Sequence, residues 1–222
     1  MERARADAVR FVDSYACLLV LLLANFLLLE LVDARRWGAF GSTLLSALAL
    51  VVAISDPDTG HRITRRHAIS IAIAVVVSSL LLLTSSDELV GLAYLLPVML
   101  LVTATLPVTI TRVLAHRRVT FETILGAICI FVLVGLLFAF AFLAIDAFSD
   151  GPFFTQEGPH TQGEYLYFSF VVLTTLGFGD LSPTTGLPQA LVVIEALIGQ
   201  IFLVTLVARL VTLWSHQTGE RG

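Results

Sequence analysis

Six apolar stretches divide the chain, separated by short segments that hold nearly all of its charge. They run from about Phe11 to Val32, Trp37 to Ile54, Ala68 to Leu83, Leu89 to Ile110, Ile124 to Ile145 and Leu187 to Trp214. About 20 helical residues cross the hydrocarbon layer of a bilayer, so each stretch spans it, or nearly does once its flanking residues are counted. The pattern predicts an all-α membrane protein with six transmembrane helices. Pro97 and Pro107 fall inside the fourth and bend it. Val32-Asp33-Ala34 loosely resembles a cleavage site, but the apolar run before it is too long for a signal peptide, so the first stretch is read as a helix.

The connection between the fifth and sixth stretches is different. It holds Gly, Pro and acidic positions, then an apolar run, Tyr165 to Leu173, too short to span. Irregular backbone at membrane depth is tolerated only where protein buries it or it lines a watery cavity. The glycines after this run therefore predict a re-entrant helix followed by a loop that lines a pore.

Composition agrees with this layout. Of 222 residues, 57% are hydrophobic and 14% charged, and mean hydropathy is +0.93, more than a soluble domain places in one core. Net charge is −4 and every basic residue is Arg, with nothing that suggests nucleic-acid binding. Cys17 and Cys129 lie in apolar stretches and read as small core residues rather than a disulfide or metal site. All Arg except Arg35 and Arg36 fall before or at the foot of the first stretch, in the second and fourth connections, or at the end of the sixth stretch and after it, which places both termini in the cytoplasm.

The segment Tyr167-Phe168-Ser169-Phe170-Val171-Val172-Leu173-Thr174-Thr175-Leu176-Gly177-Phe178-Gly179-Asp180 resembles the pore helix and selectivity filter of the potassium-channel family. The resemblance implies a six-helix subunit with a four-helix part over residues 1–118 and a pore domain over 119–222. In it, an outer helix covers about 120–147, a pore helix about 164–174, the filter 175–179 and an inner helix about 187–214. It further implies that K+ sheds its water onto carbonyl rings of Thr175, Leu176, Gly177 and Phe178, with the Thr175 hydroxyl adding an inner ring. Gly177 and Gly179 supply the positive φ that turns successive carbonyls the same way.

Asp180 is expected behind the filter with Tyr167 as partner, Thr174 at the base of the pore helix, and the Phe178 ring packed outward against Phe168. The family often has Trp where this chain has Tyr167 and an acid where it has Val171. One motif without an internal duplicate implies that three identical subunits complete a homotetramer, with membrane lipid around it and no soluble partner evident. No cofactor is expected, only K+ as permeant ion. The resemblance places the protein in the cell membrane as a multi-pass chain.

In the sixth stretch, Gly199 stands where the resembling channels have a hinge glycine; close packing is its other use. Gln200, Leu203, Val207 and Val211 share one stripe, assigned to the cavity and inner mouth, with Leu203 and Val207 able to gate by dewetting. Glu195 either concentrates cations in the cavity or is a buried acid bonded to the pore-helix base or Thr174. Arg209 snorkels to headgroups or pairs with an acid. Asn25 and Glu30 are expected to pair with Arg35 or Arg36, and His160 is read as a solvated loop residue.

The fourth stretch, Leu89 to Ile110, carries no charge, and Arg112, Arg117 and Arg118 cluster at its end. No arginine ladder of the voltage-sensing kind is present, which predicts against steep voltage gating. Paired catalytic carboxylates and nucleophile–base signatures are also missing, so no enzyme is indicated. The competing functions are a weakly selective cation channel and a potassium transporter subunit. The intact Gly-Phe-Gly-Asp argues against the first, and the single unrepeated motif against the second.

Overall fold

The computed structural model describes residues 15–28, 35–54, 73, 76–77, 105–107, 109–110, 121–149 and 151–219, with backbone alone at 35–40, 53–54, 121–122 and 209–219. The helices are α1 (Tyr15–Leu28), α2 (Arg35–Ile54), α3 (Phe121–Phe148), α4 (Gln162–Leu173) and α5 (Leu187–Gly219). The third and fourth predicted spans lie almost wholly outside the described residues, as do Glu30, the side chains of Arg35, Arg36 and Arg209, and that of Val211.

Among the described residues, two helices are long and apolar enough to cross a membrane: α3 over Thr123–Phe148 and α5 over Leu187–Ala208. At 28 and 33 residues they extend for about 42 and 50 Å at 1.5 Å per residue. Helix α4 has only 12 residues, about 18 Å, and cannot cross. It packs between α3 and α5.

The buried core lies between α3 and α4, with Leu191 and Val192 of α5 packed partly buried against it. From α3 it takes Leu133, Leu136, Phe140 and Phe142, and from α4 Tyr165, Leu166, Phe168 and Leu173, all nearly or fully enclosed. Ring packing continues into the loop after α3. Phe153 and Phe154 are buried there, and Phe142, Phe153, Phe154, Tyr165 and Phe168 form one aromatic cluster with centroids 4.8–6.3 Å apart. Gly135 lets α4 approach α3 closely, since a Cβ there would stand 2.6 Å from Cζ of Phe170.

Helix α1 rests on this unit. Its buried positions Tyr15, Leu18, Leu22 and Asn25 recur every three or four residues, one helical face. Cys129 Sγ donates to the Tyr15 carbonyl at 3.5 Å, and Phe26 meets Phe170 edge-on at 5.4 Å. The Asn25 amide donates to Ser46 Oγ of α2 at 3.3 Å; the expected pairing with Arg35 or Arg36 falls on side chains outside the described residues. Asn25 belongs to the buried stripe and faces α2. Cys129 is a buried core residue, whereas Cys17 is exposed.

Candidate functional site

Helix α4, which leads into the next segment, is held at both ends. At its start, Thr161 caps α4: its hydroxyl accepts from the Glu164 N–H at 3.3 Å, and the Glu164 carboxylate accepts from the Thr161 N–H at 2.6 Å. This capping box moves the start of the helix to Gln162, two residues before the expected position, and Thr161-x-x-Glu164 is its sequence signal. Burial raises the Glu164 carboxyl, but hydrogen bonds from the Thr161 N–H and hydroxyl and from His160 outweigh it and hold the group below its ordinary range. His160 is not a free loop residue: it stacks edge-on with Phe154 and lies 3.5 Å from Glu164.

At the other end, Thr174 closes α4 as its C-cap. Its N–H and its hydroxyl both donate to the Phe170 carbonyl, at 3.0 and 2.6 Å. The next N–H groups fold back as well, Thr175 to the Val172 carbonyl at 2.9 Å and Leu176 to the Val171 carbonyl at 3.0 Å. The backbone hand then alternates from one residue to the next. Thr175, Gly177 and Gly179 have φ of +60°, +57° and +78°, while Leu176 and Phe178 keep negative φ. Alternating left- and right-handed residues turn successive carbonyls toward one side. Glycine takes positive φ freely; Thr175 is β-branched and strained there, at about 1–2 kcal/mol. Gly177 and Gly179 announce their role in the sequence; Thr175 does not, except through the two-residue spacing from Gly177.

Beyond the segment, the Tyr167 hydroxyl donates to Asp180 Oδ2 at 2.7 Å, and Asp180 Oδ1 accepts from the Leu181 N–H at 3.0 Å. The Tyr167 bond holds the Asp180 carboxyl below its usual range and pushes the phenol up. Tyr167 also lies parallel to the Phe178 ring, 6.5 Å away and 4° off parallel. Phe168, expected to support the segment, instead points into the aromatic cluster against Phe142 and Phe154. Consecutive residues on a helix are 100° apart, so only one of Tyr167 and Phe168 can face the 175–179 segment. The loop after the segment is tied to the loop before α4 by a bridge between Phe154 and Pro183, with N–H donation from Thr155 to Ser182 and from Thr184 to Phe153, each 2.8 Å.

Helix α5 passes behind α4. Gly199 is buried against Leu173, and a Cβ there would collide with the Leu173 carbonyl oxygen and stand 3.0 Å from its carbon. One turn earlier, Glu195 is fully enclosed, so the described chain gives it no place in an open cavity. Its Oε1 lies 2.5 Å from Ser169 Oγ, not at Thr174, because Ser169 is the α4 residue that faces α5 at this level. Ser169 escaped the sequence reading; a lone hydroxyl among apolar positions was its only mark. Gln200 and Val207 are exposed and Leu203 is half-buried.

Among the described residues of one chain, the 175–179 segment has no wall on its far side. Leu176 and Phe178 are 61% and 66% exposed. A cavity of about 550 Å³ opens beside them, lined by Phe26, Tyr167, Phe170, Thr174, Leu176 and Phe178. On α5, Val193, Leu197, Ile201 and Val204 form an exposed apolar face.

Residues 127–215, from within α3 to within α5, match a family described as ion channel. No curated protein matches the chain. The matched stretch contains α4, the 175–179 segment, Asp180, Glu195 and Gly199, and it supports an ion-channel reading for the C-terminal part of the chain.

Proposed function

We propose that this protein is one subunit of a homotetrameric potassium channel whose filter is Thr175 to Gly179. The observation that carries the reading is the alternation of backbone hand at Thr175, Gly177 and Gly179 in a segment otherwise open on one side. A strand with its carbonyls turned one way offers a dehydrated cation oxygens from one direction only. Four copies around an axis close the rings, and the motif occurs once in the chain. The exposed α5 face and the cavity beside Phe178 then receive neighbouring subunits, with lipid outside.

In this arrangement α4 enters from the extracellular side and ends at the base of the filter, so the partial negative charge of its C-terminus faces the approaching cation. Asp180, held by Tyr167, braces the outer mouth. Both termini are cytoplasmic, in line with the Arg distribution. Gating is not steeply voltage-dependent, because Leu89 to Ile110 carries no charge to move through the field.

Purified protein in liposomes tests the reading directly. A reversal potential that follows the K+ gradient and ignores the Na+ gradient is expected. Equal permeability to both ions would leave a weakly selective cation channel, and transport coupled to a second solute would indicate a transporter subunit.

A further inference from the structure

Glu195 is a buried acid among the described residues that the proposed conduction path leaves unexplained. It sits in the apolar middle of α5, fully enclosed, between α4 and α3. Ser169 Oγ lies 2.5 Å from Glu195 Oε1 and 2.8 Å from the Gly135 carbonyl oxygen of α3. Both distances are within hydrogen-bond range. A serine hydroxyl carries a single hydrogen, and a backbone carbonyl carries none. With an ionised Glu195, two acceptors would compete for that one hydrogen, and one short contact would join two bare oxygens.

The second carboxyl oxygen points the same way. Glu195 Oε2 is buried and has no hydrogen-bond partner among the described residues, and no ion pair joins Glu195 to a basic side chain among them. The groups this contact joins among the described residues are neutral, the Ser169 hydroxyl on α4 beside Glu195 and the Gly135 carbonyl on α3 beyond it. An ionised carboxylate shares its charge over both oxygens, so one bare buried oxygen is costly; the carbonyl oxygen of a neutral acid costs far less.

We propose that Glu195 is a protonated carboxylic acid whose Oε1–H donates to Ser169 Oγ, while the Ser169 hydroxyl donates to the Gly135 carbonyl, a hydrogen-bond relay that joins α5, α4 and α3. The relay is a positioning device. Ser169 lies five residues before the Thr174 cap and Glu195 one turn before Gly199, so the acid and the glycine together fix the filter end of α4 against α5. Naming these helices as pore parts rests on the channel reading; the hydrogen count does not.

Infrared difference spectroscopy on the protein in liposomes at neutral pH tests the relay. Wild type minus Glu195→Gln is expected to show the carbonyl stretch of a protonated carboxylic acid. Ser169→Ala, which removes only a hydroxyl, is expected to move that band to higher frequency and still retain it. A difference spectrum with carboxylate bands and no acid band overturns the proposal. If the Gln variant does not assemble, wild type minus Ser169→Ala decides alone: a shifted acid band upholds the relay, and no acid feature removes it. Ion selectivity is measured in the same liposomes, so a non-selective flux with the acid band present sinks the potassium reading and leaves the relay standing.

Discussion

Alanine at Gly199 forces α5 away from α4. The added methyl carbon would stand 3.0 Å from the Leu173 carbonyl carbon and closer still to its oxygen. That oxygen belongs to the backbone of the last helical residue of α4 and cannot rotate aside, so the two helices must separate. Overpacking of this kind costs typically about 1–3 kcal/mol, and alanine returns up to about 1 kcal/mol through its better helix propensity. With an unyielding partner the cost falls in the upper part of that range, and the net loss is about 1–2 kcal/mol per subunit.

In the proposed tetramer the loss occurs four times and acts directly below Thr175. Assembly is followed by denaturing-detergent titration of the reconstituted protein, with Gly151→Ala as control, since a Cβ at Gly151 meets nothing within 4 Å. Gly199→Ala should dissociate at clearly lower detergent and Gly151→Ala with wild type. A glycine kept only as a hinge predicts changed open probability with unchanged assembly. A Gly199→Ala protein as resistant as wild type refutes the packing argument.

Gly177→Ala places a side chain at φ +57°, a cost of about 1–2 kcal/mol per subunit; K+ flux should vanish while the assembled species persists on native gels. Thr161→Ala removes the hydroxyl of the α4 capping box and should lower thermal stability by about 1 kcal/mol, read from a melting series with Thr161→Ser as the near-neutral companion. The bond from Tyr167 depresses the Asp180 carboxyl, so its contribution is complete above the ordinary carboxylate range and is lost only as external pH falls through the depressed value. In Tyr167→Phe, acid inhibition of flux should therefore set in at higher pH than in wild type, and superimposable profiles would dismiss the bond as a brace. Gly135→Ala drives a methyl to 2.6 Å from the Phe170 ring and should destabilise, with Phe170→Leu in the same chain restoring much of the loss, as a double-mutant cycle checks.

Much of the layout was legible in the chain, and what was not has a common cause. The lengths of the apolar runs predicted that Ile124 to Ile145 and Leu187 to Trp214 are long enough to cross and that Tyr165 to Leu173 is not; the helices found long enough are Thr123–Phe148 and Leu187–Ala208. Gly177 and Gly179 could be read because positive φ is a property of a single residue. Thr175 could not, since a β-branched residue is the wrong local choice for that conformation and adopts it only when the chain on both sides imposes it. The Thr161–Glu164 box is legible in its spacing alone, because a cap needs only residues within one turn.

Sequence alone thus determined the features that depend on hydrophobic length and on glycine, both local quantities that need no neighbour. Tertiary structure decided which neighbour each side chain meets. Tyr167 rather than Phe168 faces the 175–179 segment because α4 is rotated by its aromatic packing on α3. Ser169 and Glu195, 26 residues apart, come within 2.5 Å because Gly199 lets α5 lie directly on Leu173. Each of these follows from helix rotation and close approach, which the order of residues constrains but does not fix until the three helices pack.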